Sequence, residues 1–157
     1  MPRAIYAGSF DPVTNGHLDL IRRGSRLFER LRVLVAVNSR KEPFFSGEDR
    51  VAMIRAEVGD LPNVDVDQAE GLVVDYAKRE GFDTLLRGVR TTTDFNAEFQ
   101  MALTNRSLSP DIETVFVMPS LEWSYVSSSL IREVVASGGD VSKYVPGSVV
   151  VALAGRR

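Results

Sequence analysis

The sequence predicts one α/β domain over residues 1–157, built on a five-stranded, parallel, doubly wound sheet with helices on both faces. Three observations carry that expectation. Short β-rich apolar runs alternate with segments of helical spacing along the chain. The connections between them are short, with no repeat, linker or low-complexity block. The chain has 157 residues, 44% hydrophobic, 8% aromatic and 25% charged, which suits a single soluble globular unit. A domain of this size buries enough surface to stand without metal or disulfide. Strands that alternate with helices pair in parallel, because each crossover returns the chain to the same end of the sheet.

Residues 3–7 are a short apolar run stopped by Gly8, a strand. Residues 15–30 form a helix, with Leu18, Ile21, Leu27, Phe28 and Leu31 at helical spacing. Residues 31–37 are almost continuously apolar, as a strand covered on both faces must be. A helix follows at 46–58, with Val51, Ile54 and Val58 on one face. Strand 64–66 leads to a short helix at 72–79, stopped by Gly81; Leu72 and Val74 are expected in the core. Strand 84–86 precedes a helix at 94–105, with Phe95, Phe99, Met101 and Ala102 expected inside. The last strand is 113–118, ended by Pro119; helices at 130–136, closed by Gly138-Gly139, and at 149–155 complete the chain. The order is Rossmann-like, and in such sheets ligands sit beyond the carboxyl ends of the strands, where the strand order reverses.

Composition removes several functions. A net charge of −2 argues against a domain that coats nucleic acid. With no cysteine, thiol nucleophiles, Cys-ligated zinc and disulfide scaffolds are excluded. With one histidine, His17, a poly-His metal site is impossible and any His-dependent hydrolase would have to use that residue. The first residues lack the charged start and apolar core of a signal peptide, and no apolar run approaches a membrane span, so a cytoplasmic protein with no membrane partner is expected.

The strand ends carry the chemistry. After the first strand, Gly8-Ser9-Phe10-Asp11-Pro12-Val13-Thr14-Asn15-Gly16-His17 matches neither of the two commonest phosphate loops. It still has the parts of an anion site: glycines, a hydroxyl, a cap at Thr14 or Asn15, and His17 in a first helical turn. A tight turn with an incidental histidine is the other reading. Lys41, with Arg40, is either a phosphate cation or part of a solvated basic loop. Val73 either packs in the core or lines a pocket with its backbone. Arg87-Gly88-Val89-Arg90 suits phosphate oxygens, or forms a surface ion-pair cluster with Asp94 and Glu98. Trp123 and Tyr125 flank a base or pack as plain core, and Ser127-Ser128-Ser129 are more hydroxyls than one cap needs. Four anion-binding clusters on carboxyl ends of one sheet are what a polyphosphate nucleotide requires.

These residues also form signatures. Gly8-Ser9-Phe10-Asp11-Pro12 with Thr14-x-Gly16-His17 resembles the T/H-x-G-H element of the nucleotidyltransferase α/β superfamily. Val126-Ser127-Ser128-Ser129-x-Ile131-Arg132 is similar to that superfamily's second element, I-S-S-S/T-x-I/V-R/K. Arg87-Gly88-Val89-Arg90 with Asp94-Phe95 and Glu98, and Pro119-Ser120-x-Glu122-Trp123-Ser124-Tyr125, narrow the resemblance to the phosphopantetheine adenylyltransferases. The likeness runs from about Arg3 to just beyond Gly139-Asp140. Thr14 stands where the wider superfamily has a first histidine, Val73 where Leu or Met is common, and the tail after Tyr144 matches poorly.

The resemblance implies that ATP and 4′-phosphopantetheine give 3′-dephospho-coenzyme A and pyrophosphate, with magnesium held mainly by substrate oxygens. It assigns His17 as transition-state stabiliser and ATP contact. It places Ser9, Lys41, Val73 and Arg87 on the phosphopantetheine. It places Ser9, Phe10, Gly88, Val89, Arg90, Glu98, Trp123, Ser124, Tyr125, Val126, Ser127, Ser128 and Ser129 on ATP. It also implies a cytoplasmic homohexamer with coenzyme A as a feedback ligand. A phosphate monoester is mostly deprotonated at neutral pH, so no general base is required, and none is evident. The alternatives are another adenylyl- or cytidylyltransferase of the superfamily, or a nucleotide-binding module that turns nothing over.

Overall fold

The computed structural model describes residues 1–156. Its sheet has five parallel strands in the order β3-β2-β1-β4-β5. The strands are β1 (Arg3–Gly8), β2 (Arg30–Ala36), β3 (Val64–Ala69), β4 (Thr84–Gly88) and β5 (Glu113–Val117). The helices are α1 (Asn15–Leu27), α2 (Gly47–Val58), α3 (Val73–Glu80), α4 (Thr92–Leu108), α5 (Ser128–Ala136) and α6 (Gly147–Ala154), with a 3₁₀ turn at Leu121–Trp123. The chain winds outward from β1 to β3, then returns beside β1 with β4 and winds the other way. The switch therefore lies between β1 and β4, where Gly8 and Gly88 end neighbouring strands.

Strand alternation divides the core between the two faces. Ala4 and Tyr6 of β1 pack with Ile21 of α1, Ile54 of α2, Ile131 of α5 and Leu153 of α6. Ile5 and Ala7 pack on the other side with Val74 and Ala77 of α3, Leu85 and Ile112. No helix among the described residues is long and apolar enough to cross a membrane.

The structure corrects the sequence reading at three places. Helix α1 stops at Leu27, because Arg30 already pairs with Arg3 in the sheet; Leu27 is exposed while Leu31 is a buried strand residue. Leu72 is exposed at the start of α3, and only Val74 is core. Helix α4 buries none of its residues: Phe95, Phe99 and Met101 are exposed and Ala102 is half-buried. It lies against the edge strand β5, where Phe95 touches Phe116, and one edge strand offers too little surface to cover a four-turn helix.

Candidate functional site

The loop from β1 to α1 is held from several sides. Phe10 has φ of +48°, a left-handed conformation that costs an L residue roughly 1–2 kcal/mol. Buried neighbours hold it there. The Asp11 carboxylate accepts from Phe44 N–H at 2.7 Å and from Phe45 N–H at 2.8 Å. The buried Arg50 donates to the Ser9 carbonyl at 2.9 Å. The Phe10 ring, itself buried, stands edge-on to Tyr6 and to His17, at 5.2 and 5.0 Å between centroids.

His17 sits in the first turn of α1, and Thr14 caps that turn. The Thr14 hydroxyl accepts from His17 N–H at 3.3 Å, and Thr14 N–H donates to His17 Nδ1 at 3.0 Å. Nδ1 therefore carries a lone pair, and the proton of the neutral ring lies on Nε2. Burial, then the charges of Arg90 and Arg87, push the ring's pKa down from 6.5 to about 4. At neutral pH His17 is an uncharged hydrogen-bond donor. The ring is fixed in tautomer and lines a cavity.

The cavity has a volume of about 340 Å³ and lies at the switch between β1 and β4. On its α1 side are Ser9, Phe10 and His17; β4 supplies Arg87 and Gly88. A Cβ on Gly88 would lie 2.7 Å from Leu20 Cδ2, so glycine lets α1 close onto the strand end. Arg90, Asp94 and Glu98 follow, with Trp123 opposite. The start of α5 closes the ring with Ser127, Ser128 and Ser129. The three hydroxyls divide their work. Ser127 caps α5 by accepting from Leu130 N–H at 3.1 Å, and Ser128 donates to the Pro12 carbonyl at 2.8 Å. Ser129 lies 3.5 Å from an Arg132 nitrogen.

Two helix starts thus meet one cavity. Neither α1 nor α5 carries an acidic residue in its first turn, whereas α2, α3 and α4 carry Glu48 and Asp49, Asp75 and Asp94 there. No acidic side chain answers the positive ends of α1 and α5, so an anion would be favoured where they meet the cavity.

The arginine cluster forms the expected ion pairs and also lines the cavity. Arg87 is paired with Glu98 at 2.6 Å and Arg90 with Asp94 at 3.3 Å, and all four line the cavity. Burial opposes the Arg87 charge, but the Glu98 hydrogen bonds outweigh it and the guanidinium pKa is raised.

Other expected residues lie apart. Val73 lines a second, mainly apolar cavity of about 260 Å³ with Leu72, Met101, Ala102 and Asn105. Lys41 is exposed in an open depression on the far side of Ser9, which Arg132 also reaches. Val89, Ser124, Tyr125 and Val126 do not line the cavity. Val126 is buried and its carbonyl accepts from Arg90, and Tyr125 is exposed against Tyr144. Tyr6 and Arg132 join the cavity without having been assigned to it. Tyr6 lies two residues before Gly8 on one face of β1, and Arg132 lies three beyond Ser129 on α5, so strand and helix periods would have found both. Burial keeps the Tyr6 phenol protonated by pushing its pKa up.

Comparisons with known proteins agree with this geometry. Residues 5–134 match the cytidylyltransferase-like family. A phosphopantetheine adenylyltransferase from Anaeromyxobacter sp. (strain K) is 51% identical over 150 residues, covering 96% of this chain and 92% of the relative. One from Thioalkalivibrio sulfidiphilus is 48% identical over 153 residues, covering 98% and 96%. The fold is shared with a crystal structure of a candidate nicotinate-nucleotide adenylyltransferase from Vibrio parahaemolyticus. Its TM-score is 0.69 at 21% identity, covering 98% of this chain and 99% of that one.

Proposed function

The chain belongs to the phosphopantetheine adenylyltransferases, and from that membership and the geometry of the cavity we propose that it transfers the adenylyl group of ATP to 4′-phosphopantetheine. The products are 3′-dephospho-coenzyme A and pyrophosphate. One observation carries the reading: two acid-free helix starts, the neutral His17 and the arginines of the β4 end surround a single cavity.

An oxygen of the acceptor phosphate attacks the α-phosphorus of ATP, and the bond to the β,γ-diphosphate breaks with its electron pair leaving on pyrophosphate. The chain supplies position and charge. The start of α5, with Ser129 and Arg90, suits the triphosphate; Trp123 suits the base. Arg87 suits the acceptor phosphate, and the apolar cavity beside Val73 suits its uncharged arm. His17 donates from Nε2 to the oxygens on which charge grows. The phosphate arrives deprotonated, so no base is needed, and no serine acts as nucleophile.

Magnesium enters with ATP, as part of the substrate. Among the described residues no group of three His, Asp or Glu could hold an ion, and the cavity carboxylates Asp94 and Glu98 are paired with arginine. The exposed apolar residues of α4 favour self-association, in line with a homohexamer, and a cytoplasmic location fits the reaction. Coenzyme A, which contains the product, fits as a feedback ligand.

The test is pyrophosphate release from ATP across phosphorylated acceptors. We expect 4′-phosphopantetheine to be turned over in preference to nicotinamide mononucleotide; binding without release would leave a nucleotide-binding module. A chiral α-phosphorus should be inverted by one displacement, and retention or a stable labelled enzyme would overturn direct transfer.

A further inference from the structure

The resemblance assigns Glu98 to ATP, but its contacts are with Arg87. Glu98 Oε2 accepts from Arg87 Nε at 2.7 Å, and Oε1 accepts from Nη2 at 2.6 Å. Nη1 of the same guanidinium donates to the Ala7 carbonyl at the end of β1. An arginine has five N–H donors in a rigid plane. Three of them are thereby taken by two different elements, the end of β1 and helix α4, and the plane of the fork is set. Two donors remain, one on Nη1 and one on Nη2, for oxygens from outside the chain.

The position of this pair matters as much as its bonds. Ala7, Arg87 and Glu98 are the residues shared by the His17 cavity and the apolar cavity beside Val73. They form the wall between the two. An acceptor with an apolar arm in one cavity and a reacting phosphate in the other must pass this wall.

We propose that Glu98 is a positioning residue for the acceptor, acting through Arg87: it holds the guanidinium so that its remaining donors meet the phosphate crossing the wall. The proposal rests on the adenylyl-transfer reading above. A bidentate carboxylate does this better than a single oxygen, because two parallel bonds fix both the tilt and the rotation of the fork. Glu98 also neutralises the cation while the site is empty, so the half-buried guanidinium carries no unpaired charge.

The test is a double-mutant cycle read with each substrate varied in turn. Wild type, Glu98→Gln, Glu98→Ala, Arg87→Ala and the Arg87→Ala/Glu98→Ala double variant are assayed by pyrophosphate release, with thermal melts for each. Glu98→Ala should raise KM for 4′-phosphopantetheine about tenfold, the order of one charge-assisted hydrogen bond. Glu98→Gln, which keeps one acceptor oxygen, should fall between. In the Arg87→Ala background Glu98→Ala should add nothing to the acceptor KM, because the group it positions is gone. An acceptor KM left unchanged by Glu98→Ala, or an acceptor effect that persists undiminished without Arg87, overturns the proposal. If Glu98→Ala alone does not fold, the comparison of Arg87→Ala with the double variant, in which no cation is left unpaired, decides it. Wild-type protein that releases no pyrophosphate with this acceptor overturns the reaction instead.

Discussion

The two ends of the sheet both gather arginines, and they use them differently. At the amino end Arg3, Arg30 and Arg32 surround the buried Phe82 ring at 5.1, 5.5 and 5.0 Å. Arg30 and Arg32 are also paired with Asp65, and Arg32 reaches Tyr76 at 3.0 Å and Glu80 at 3.4 Å. At the carboxyl end Arg87, Arg90 and Arg132 line a cavity. The winding of the chain explains the division. Helices α1 to α4 run back to the amino end, so their carboxyl termini collect there, and their last turns carry Arg26, Arg55, Lys78, Arg79 and Arg106. Cations at that end answer charge the fold itself supplies. At the other end, α1 and α5 leave their starts without acids, and the arginines there, although Arg87 and Arg90 are paired with Glu98 and Asp94, line a cavity beside those starts. A cluster of arginines is therefore read by what it stands beside, not by its size.

The largest test of this contrast is His17→Ala. Removing a preorganised donor at a developing charge typically costs ~10²–10³ in rate. The variant should fold, bind ATP normally by calorimetry, and lose turnover on that scale. Near-normal turnover would make the carboxyl end a binding surface only. Arg87→Ala comes next. Loss of a charged hydrogen bond to phosphate is worth ~1.5–3 kcal/mol, or roughly ten- to a hundredfold in kcat/KM for the acceptor. An effect confined to ATP would mean that the two substrates have been placed the wrong way round.

The amino end should answer in the opposite currency. Arg32 is well covered, with its side chain 14% exposed, and removing it leaves Asp65 and Tyr76 with fewer partners. Arg32→Ala should lower stability by ~1–3 kcal/mol in denaturant unfolding, with kcat and both KM values unchanged. A change in KM without loss of stability would erase the distinction between the ends.

Much of this was legible in the chain. Alternating strands and helices with short links imply the parallel sheet; Gly8 and Arg87 fall at strand ends, and His17 and Ser127–Ser129 at the starts of the helices that follow. What escaped depended on contacts far apart in sequence. Phe95, Phe99 and Met101 read as core because they are apolar, but the apolar residues of α4 share no single face and only an edge strand lies beneath them. The ion pairs of Arg87 and Arg90 with Glu98 and Asp94 are one of the two readings the sequence offers, and the return of α4 over β4 decides which carboxylate meets which arginine. Lys41 stands at a strand end as its position suggests, yet its exposed loop leaves it in a depression separate from His17. The state of His17 was equally hidden, because Thr14 and the arginines act on it only once the loop is folded.

That state gives the smallest expected effect, which is an absence. His17 has a pKa of about 4 in the folded chain against 6.5 unfolded, so it stays neutral through the range where the acceptor phosphate, with its second pKa of about 6, titrates. The acid limb of the rate should then belong to the acceptor alone. The residual activity of His17→Ala should fall along the same limb, with its midpoint unmoved; a limb that disappears with His17 would show that the ring titrates in catalysis. Stability carries the complementary signature. Below pH 6.5 the unfolded chain binds a proton at this histidine that the folded chain refuses until about pH 4. The unfolded state thus holds more protons in that window, and the stabilisation given by neutral His17, full above pH 6.5, is lost as pH falls to about 4. Melting temperatures of wild type and His17→Ala should converge or cross in that direction between pH 6.5 and 4. A gap between them that stays constant with pH would mean that the histidine is not held neutral, and that its place at the helix start is set by charge rather than by Thr14.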